Sequence, residues 1–203
     1  MNNNTDLCDL FFKYGSDKCP QIFHSYSPVY QKILTPHKNN ILSMIEIGIG
    51  NIYSMINTVG ATYQAGASLK AWRDFLPNAI VYGLDIDRTI LFEDTRIKCF
   101  YTNQSSEASL LETLENIKNY IYHHNYFDLI IDDGSHIIQH MILSLEVLKN
   151  YLNNNGLYII EDIKKIEIDI FISLVKKYHD LTIEHIHYGK SDWDSFIIYK
   201  KIK

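Results

Sequence analysis

The stretch FDLIIDDGSH, residues 127–136, supplies apolar bulk in Phe127, Leu129, Ile130 and Ile131, then places Asp132 and Asp133 side by side with His136 three residues on. A second acidic pair, Glu161 and Asp162, closes the apolar run GLYIIED at 156–162. A third group, EIGIG, sets Glu46 ahead of Gly48 and Gly50. Carboxylates beside an imidazole suit two kinds of chemistry: oxygen ligation of a hard divalent cation, and proton transfer by a group that titrates near neutrality. The plainer alternative is a helix cap, for which Ser135 or Asp133 is well placed ahead of a helix starting near His136.

The elements that must position these groups follow from hydrophobic periodicity. Strand-like runs occur at 43–50, 79–87, 97–103, 127–132 and 156–162, and helix-like segments at 68–76, 105–124, 136–154 and 167–179 fall between or after them. Gly156 reads as the stop of the 136–154 helix. Strands alternating with helices at this spacing predict an α/β fold with a mostly parallel, doubly wound sheet. Two further strands, 181–189 and 194–201, are separated by hairpin spacing. Seven strands ending in an antiparallel pair are therefore expected. Residues 1–43 read as a helical cap laid over the sheet's edge and 44–203 as the core, together one domain.

In such a sheet ligands bind at the carboxyl ends of the strands, where strand order reverses. Those ends carry Glu46, Gly48 and Gly50; Asp85 and Asp87; Asn103 and Gln104; Asp132, Asp133 and His136; Glu161 and Asp162. The glycine turn allows close backbone approach to a nucleotide-like cofactor, and Asp85 suits ribose hydroxyls. A dinucleotide fingerprint needs a third glycine where Tyr53 stands and an acid closer than Asp85, so a nicotinamide cofactor is disfavoured.

On these residues the chain resembles the class I S-adenosylmethionine methyltransferases: EIGIG is similar to their first motif and GLDID to their ribose-binding acid. More narrowly, YGSDK, GASLKAWRDFLPNAIVYGLDID, FDLIIDDGSH and GLYIIEDI resemble the metal-dependent O-methyltransferases of macrolide deoxysugars, relatives of the cephalosporin-hydroxylase-type family. The resemblance implies metal ligands at Asp133, Glu161 and Asp162 for Mg²⁺ or Mn²⁺, and a general base at His136. It implies a cofactor site around Glu46, Gly48, Gly50, Asp85, Asn103, Gln104 and Asp132. Asn103-Gln104 stands where relatives commonly carry Asp-Gln, and an amide can still meet the adenine edge. The segment 51–66 is read as a lid.

The acceptor implied is a small molecule, a sugar or sugar-containing compound; a catechol-like acceptor or a non-catalytic cofactor-binding protein are the alternatives. His24 and Tyr26 either close over cofactor or sugar or simply pack, and 184–194, EHIHYGKSDWD, is polar and aromatic enough to line an acceptor pocket. His140 reads as a surface residue, and Trp72 and Phe75 as packing residues.

Composition agrees with a soluble globular protein. Hydrophobic residues are 46% and charged residues 21% of 203, ordinary for a globular chain. A net charge of −5 without a basic tract argues against nucleic acid as partner. No apolar run reaches the roughly 18–20 residues of a membrane span, and the start MNNNTDLCDL lacks the basic-then-apolar order of a secretory signal. Three cysteines without metal-type spacing are expected as reduced thiols in a cytoplasmic protein, with homo-oligomerisation open.

Overall fold

The computed structural model describes residues 5–120, 127–189 and 191–200. Its centre is a sheet of eight strands in the order β3-β4-β2-β1-β5-β6-β8-β7. Five of them are parallel: β1 (Ser43–Ile47), β2 (Ile80–Asp85), β4 (Ile97–Tyr101), β5 (Phe127–Asp132) and β6 (Leu152–Lys164). All of β1 is buried, which is why it reads as a continuous apolar run. The expected C-terminal hairpin is present: β7 (Leu181–Ile186) pairs antiparallel with β8 (Trp193–Lys200), and β8 pairs antiparallel with β6.

Helices cover both faces. On one, α5 (Glu107–Lys118), α6 (Ile138–Leu148) and α7 (Ile168–Val175) pack over Ile45, Tyr82, Ile130 and Ile160. On the other, α1 (Asp6–Tyr14), α2 (Ser27–Leu34) and α4 (Ala67–Phe75) pack over Met44, Val81, Leu129 and Ile159. The amphipathic spacing in α4 buries Leu69, Trp72 and Phe75, and Phe11 of α1 meets the Trp72 ring edge-on at 5.0 Å. Thr5 caps α1 by accepting from the Cys8 amide, and Gly15 ends it at φ 75, a left-handed conformation suited to glycine.

Four expectations need correction. The sheet has eight strands, because the two-residue β3 (Glu93–Asp94) adds antiparallel to β4; two exposed charged residues leave no hydrophobic signal to read. The N-terminal helices lie on a face of the sheet, since Leu7, Phe11, Tyr30 and Leu34 share a core with strand residues. Helix α6 ends at Leu148, a 3-10 turn follows, and Gly156 sits inside β6; backbone pairing with β5 prevails over the helical pattern there. Neither Asp133 nor Ser135 is the N-cap of α6, which is Ile137 without a side-chain cap. The sequence pattern carried the α5 helix to residue 124, and residues 121–124 lie outside those described, as does 201 of the last strand.

No helix among the described residues is long and apolar enough to cross a membrane. A cleft of about 1090 Å³ opens at the amino-terminal edge of the sheet, lined by Leu34, Asp128, Asn153 and Leu157 among others. It lies across the sheet from the strand tips that carry the clustered acids.

Candidate active site

Strand order reverses between β1, whose successor β2 lies on one side, and β5 on the other, so a crevice opens at the tips of these two strands. There the backbone is crowded. Gly48 has φ 83, and a Cβ on it would lie 2.0 Å from the Asp133 carbonyl oxygen. Asp85, at the tip of β2, accepts from the Ile49 amide at 3.0 Å and from the Asp87 amide at 2.9 Å. The glycine turn and the acid are thus locked to each other. The segment 51–66 contributes the short α3 (Ile52–Met55) and a tether from the Tyr63 hydroxyl to the Ile49 carbonyl at 3.0 Å.

The tips of β5 and β6 deliver the acids. His136 at φ 55 and Asp162 at φ 55 are both left-handed without being glycine. Pairing of β6 with β8 shifts register between Ile160 and Ile163. That bulge explains why adjacent Glu161 and Asp162 both reach the site rather than opposite faces of the sheet. His136 Nε2 lies 3.3 Å from Asp133 Oδ1 and 3.8 Å from Asp162 Oδ2. One donor atom from each of Asp133, His136 and Asp162 falls within 4.8 Å of the others.

Glu161 stands just behind this trio. Its carboxylate accepts from the Tyr30 hydroxyl at 2.6 Å and from the Lys18 ammonium. Lys18 is fully buried, bonds Asp133 Oδ2 at 2.5 Å and lies 3.5 Å from Glu46. Tyr26 donates to Asp162, and His24 stacks on Tyr26 at 4.5 Å. The segment 18–30 therefore reaches into the crevice as a polar wedge.

Charge balance decides protonation. Burial disfavours a charged Lys18, but Asp133, Glu161 and Glu46 outweigh it and raise its pKa. One ammonium cannot compensate three carboxylates. Burial lifts Glu46 to about 7 and drives Glu161 well above the carboxylate range, despite Lys18. Asp133 goes the other way: burial would raise it, yet Lys18 and His136 together hold it at about 2. Burial also opposes a charged His136, and the hydrogen bond and charge of Asp133, with Asp162, overcome it and push the imidazole up to about 9.

Of the sequence-predicted residues, Glu46, Gly48, Asp133, His136, Glu161 and Asp162 meet at one place, with Asp85 beside the glycine turn. Gly50, at φ 71, packs under the Tyr63 hydroxyl. Gln104 and Asp132 form a separate buried pair: Gln104 Nε2 donates to Asp132 Oδ1 at 2.6 Å, and its oxygen accepts from the Ser135 amide at 2.9 Å. They brace the DDGSH turn. Asn103 turns back on its own loop, accepting from the Ser105 amide at 3.0 Å. Trp72 and Phe75 are buried packing residues, as expected.

Lys18, Tyr26 and Tyr30, for which the sequence leaves substrate contact and packing both open, are the residues of the N-terminal segment that bond these acids. Two signals point to them: the lysine of YGSDK, and tyrosines four apart at the start of α2, which share a helix face.

The residues fit a hard cation in part. Asp133 and Asp162 offer facing carboxylate oxygens, a donor set that Mg²⁺ favours. Glu161 already has hydrogen-bond partners on both oxygens.

No family model matches the sequence. Sequence comparison finds the L-olivosyl-oleandolide 3-O-methyltransferase of Streptomyces antibioticus, 33% identical over 161 residues, which are 79% of this chain and 38% of that protein. It also finds the 8-demethyl-8-alpha-L-rhamnosyl tetracenomycin-C 2'-O-methyltransferase of Streptomyces olivaceus, 30% identical over 158 residues, 78% of this chain and 38% of that protein. Among solved structures, the MycE methyltransferase of the mycinamycin biosynthetic pathway, in complex with Mg and SAH, superposes with a TM-score of 0.73 at 24% identity. That match covers 97% of this chain and 55% of the other. The chain spans less than two fifths of the curated relatives it matches. It has the class I S-adenosylmethionine methyltransferase fold, and its homologues are sugar O-methyltransferases.

Proposed function

We propose that this chain is an S-adenosylmethionine-dependent O-methyltransferase unit that uses a divalent cation, Mg²⁺ or Mn²⁺, to methylate a hydroxyl of a sugar or sugar-bearing small molecule. The observation that carries the reading is the convergence of Asp133, His136 and Asp162 at the strand tips beside the Gly48–Asp85 turn. The names of the relatives supply the acceptor class.

In this reading Asp85 accepts the ribose hydroxyls through lone pairs left free by its two amide donors, and the Gly48 turn lets the backbone approach the cofactor. Asp133 and Asp162 would hold the cation, with Glu161 joining by releasing its bond to Lys18. The cation, when bound, lowers the pKa of the acceptor hydroxyl, fixes its position and offsets the carboxylate charge that keeps His136 protonated. A neutral His136 would take the proton of the acceptor hydroxyl at Nε2, and S-adenosylmethionine, when bound, would supply the methyl group to that oxygen and leave as the thioether. Lys18 keeps Asp133 ionised and oriented. Tyr26 and Tyr30 fix the Asp162 and Glu161 carboxylates. The wedge 18–30 keeps water from the buried side of the acids. Gln104 and Asp132 support this machinery by bracing the turn that carries Asp133 and His136.

Calorimetric titration of S-adenosylhomocysteine with magnesium present, then with chelator, tests the cofactor assignment, and a magnesium titration of Asp133→Ala tests the cation site. Saturable cofactor binding together with magnesium binding lost in Asp133→Ala supports the reading. Absence of cofactor binding in both buffers would remove it.

A further inference from the structure

Two clusters among the described residues bring a metal-competent donor set together, and the second, His185, His187 and Asp194, has no part in the chemistry above. It is built by the C-terminal hairpin. The β7–β8 register sets His185 opposite Phe196 and Ile186 opposite Ser195. Asp194 is therefore diagonal to His185 on the same face of the hairpin, and His187 follows just beyond the last paired residue. His185 Nε2 and His187 Nδ1 each lie 3.0 Å from the same oxygen, Asp194 Oδ2.

Supporting contacts hold the group in this pose. The other carboxylate oxygen of Asp194 accepts from the Tyr188 amide at 3.0 Å, which fixes the plane of the carboxylate. The His185 ring stacks on Phe196 at 4.8 Å with 16° between planes. The hairpin loop is tied to the end of β6, where Lys165 Nζ donates to the Gly189 carbonyl at 2.6 Å and the Lys165 amide to the Asp192 carbonyl at 3.0 Å. Asp194 is buried while the His187 side chain is 60% exposed, so the group is anchored below and open above.

We infer that His185, His187 and Asp194 form a second metal site, selective for a borderline transition ion of the Zn²⁺ class. Two imidazoles and one carboxylate suit zinc, cobalt or nickel and suit magnesium poorly. Three protein ligands with one open side leave a coordination position for water or an exogenous donor. Outer contacts that orient ligands are what such sites need, and here the Tyr188 amide orients Asp194 and the Phe196 ring orients His185. The site is distinct from the carboxylate cluster, although Trp193, the neighbour of Asp194, meets the His136 ring at 5.9 Å. Occupancy would stiffen the hairpin that sets Trp193 against the His136 ring.

The test is a Co²⁺ titration of the full chain in saturating Mg²⁺, followed by visible d–d absorption, on wild type, His187→Ala and the double variant His185→Ala/His187→Ala. The site predicts one saturable equivalent in wild type, with affinity weakened more than about tenfold in His187→Ala, since even outer-sphere partners cost about 10–100-fold. His136→Ala should keep that equivalent. His187 is exposed, so its single variant tests the site even if the double variant fails to fold. An anomalous-scattering peak between the three side chains in zinc-soaked crystals is the independent expectation. Cobalt binding that is absent, or unchanged in His187→Ala, would overturn the assignment. Neither result bears on S-adenosylhomocysteine binding, so this site and the proposed methyl transfer stand or fall separately.

Discussion

His136 titrates at about 9 in the folded chain, against about 6.5 in an unfolded one, so the native state binds its proton more tightly. The sign follows from that order. Its contribution to stability is fully present below about pH 6.5 and is lost as pH rises through about 9. In chelator, the ring-proton NMR signal of His136 should move with a midpoint near 9, and a midpoint near 6.5 would mean that Asp133 and Asp162 do not hold it charged. The same residue carries the proton-transfer prediction. Replacing His136 with alanine should lower kcat about 10²–10⁴-fold and leave S-adenosylhomocysteine affinity unchanged, as a calorimetric titration beside a turnover assay would report. Loss of cofactor binding instead would make His136 a binding residue.

At the scale of the element, the bulge near the end of β6 lets two neighbouring acids serve one site, and its cost falls on Asp162 at φ 55. Both Asp162→Gly and Asp162→Ala remove the carboxylate, but glycine alone is at ease in that conformation. Glycine should therefore be the more stable variant by about 1–2 kcal/mol, the reverse of their usual order. Urea denaturation of the pair checks it, and alanine at or above glycine would mean the bulge is not strained. Strand β5 was legible to the residue, because apolar bulk ends abruptly in charge. The parallel order and the C-terminal hairpin were legible too, from the spacing of the runs. The bulge was not, since GLYIIED reads as an uninterrupted strand and register depends on β8, some thirty residues later in the chain. Nor was the bond between Gln104 and Asp132, a tertiary contact that leaves no local pattern. The acids themselves were readable from type and position; the Lys18 ammonium buried among them was not.

Across the whole molecule, the buried charge of the crevice is partly offset by a residue far away in sequence. Lys18 is the ammonium shared by Asp133, Glu161 and Glu46, so Lys18→Met leaves buried acids without a counter-charge. Breaking such a pair costs about 3–5 kcal/mol. Carboxylates lifted above their unfolded pKa take up protons on folding, so the variant should recover stability as pH falls from about 7 toward the unfolded carboxylate range near 4. Urea unfolding of wild type and variant across that interval measures both the loss and its slope; an equal cost at every pH would mean the acids do not depend on Lys18. The same contacts set a schedule for assembly. Lys18 bonds a residue 143 positions later, Tyr26 one 136 later and Tyr30 one 131 later. Contacts this distant in sequence form slowly, because the intervening loop must be closed before they can stabilise anything. The segment 18–30 can pack early against α1 and α4, but the acids it bonds are in place only once β6 has formed. The crevice is then completed late, when residues 18–30 close onto the tips of β5 and β6.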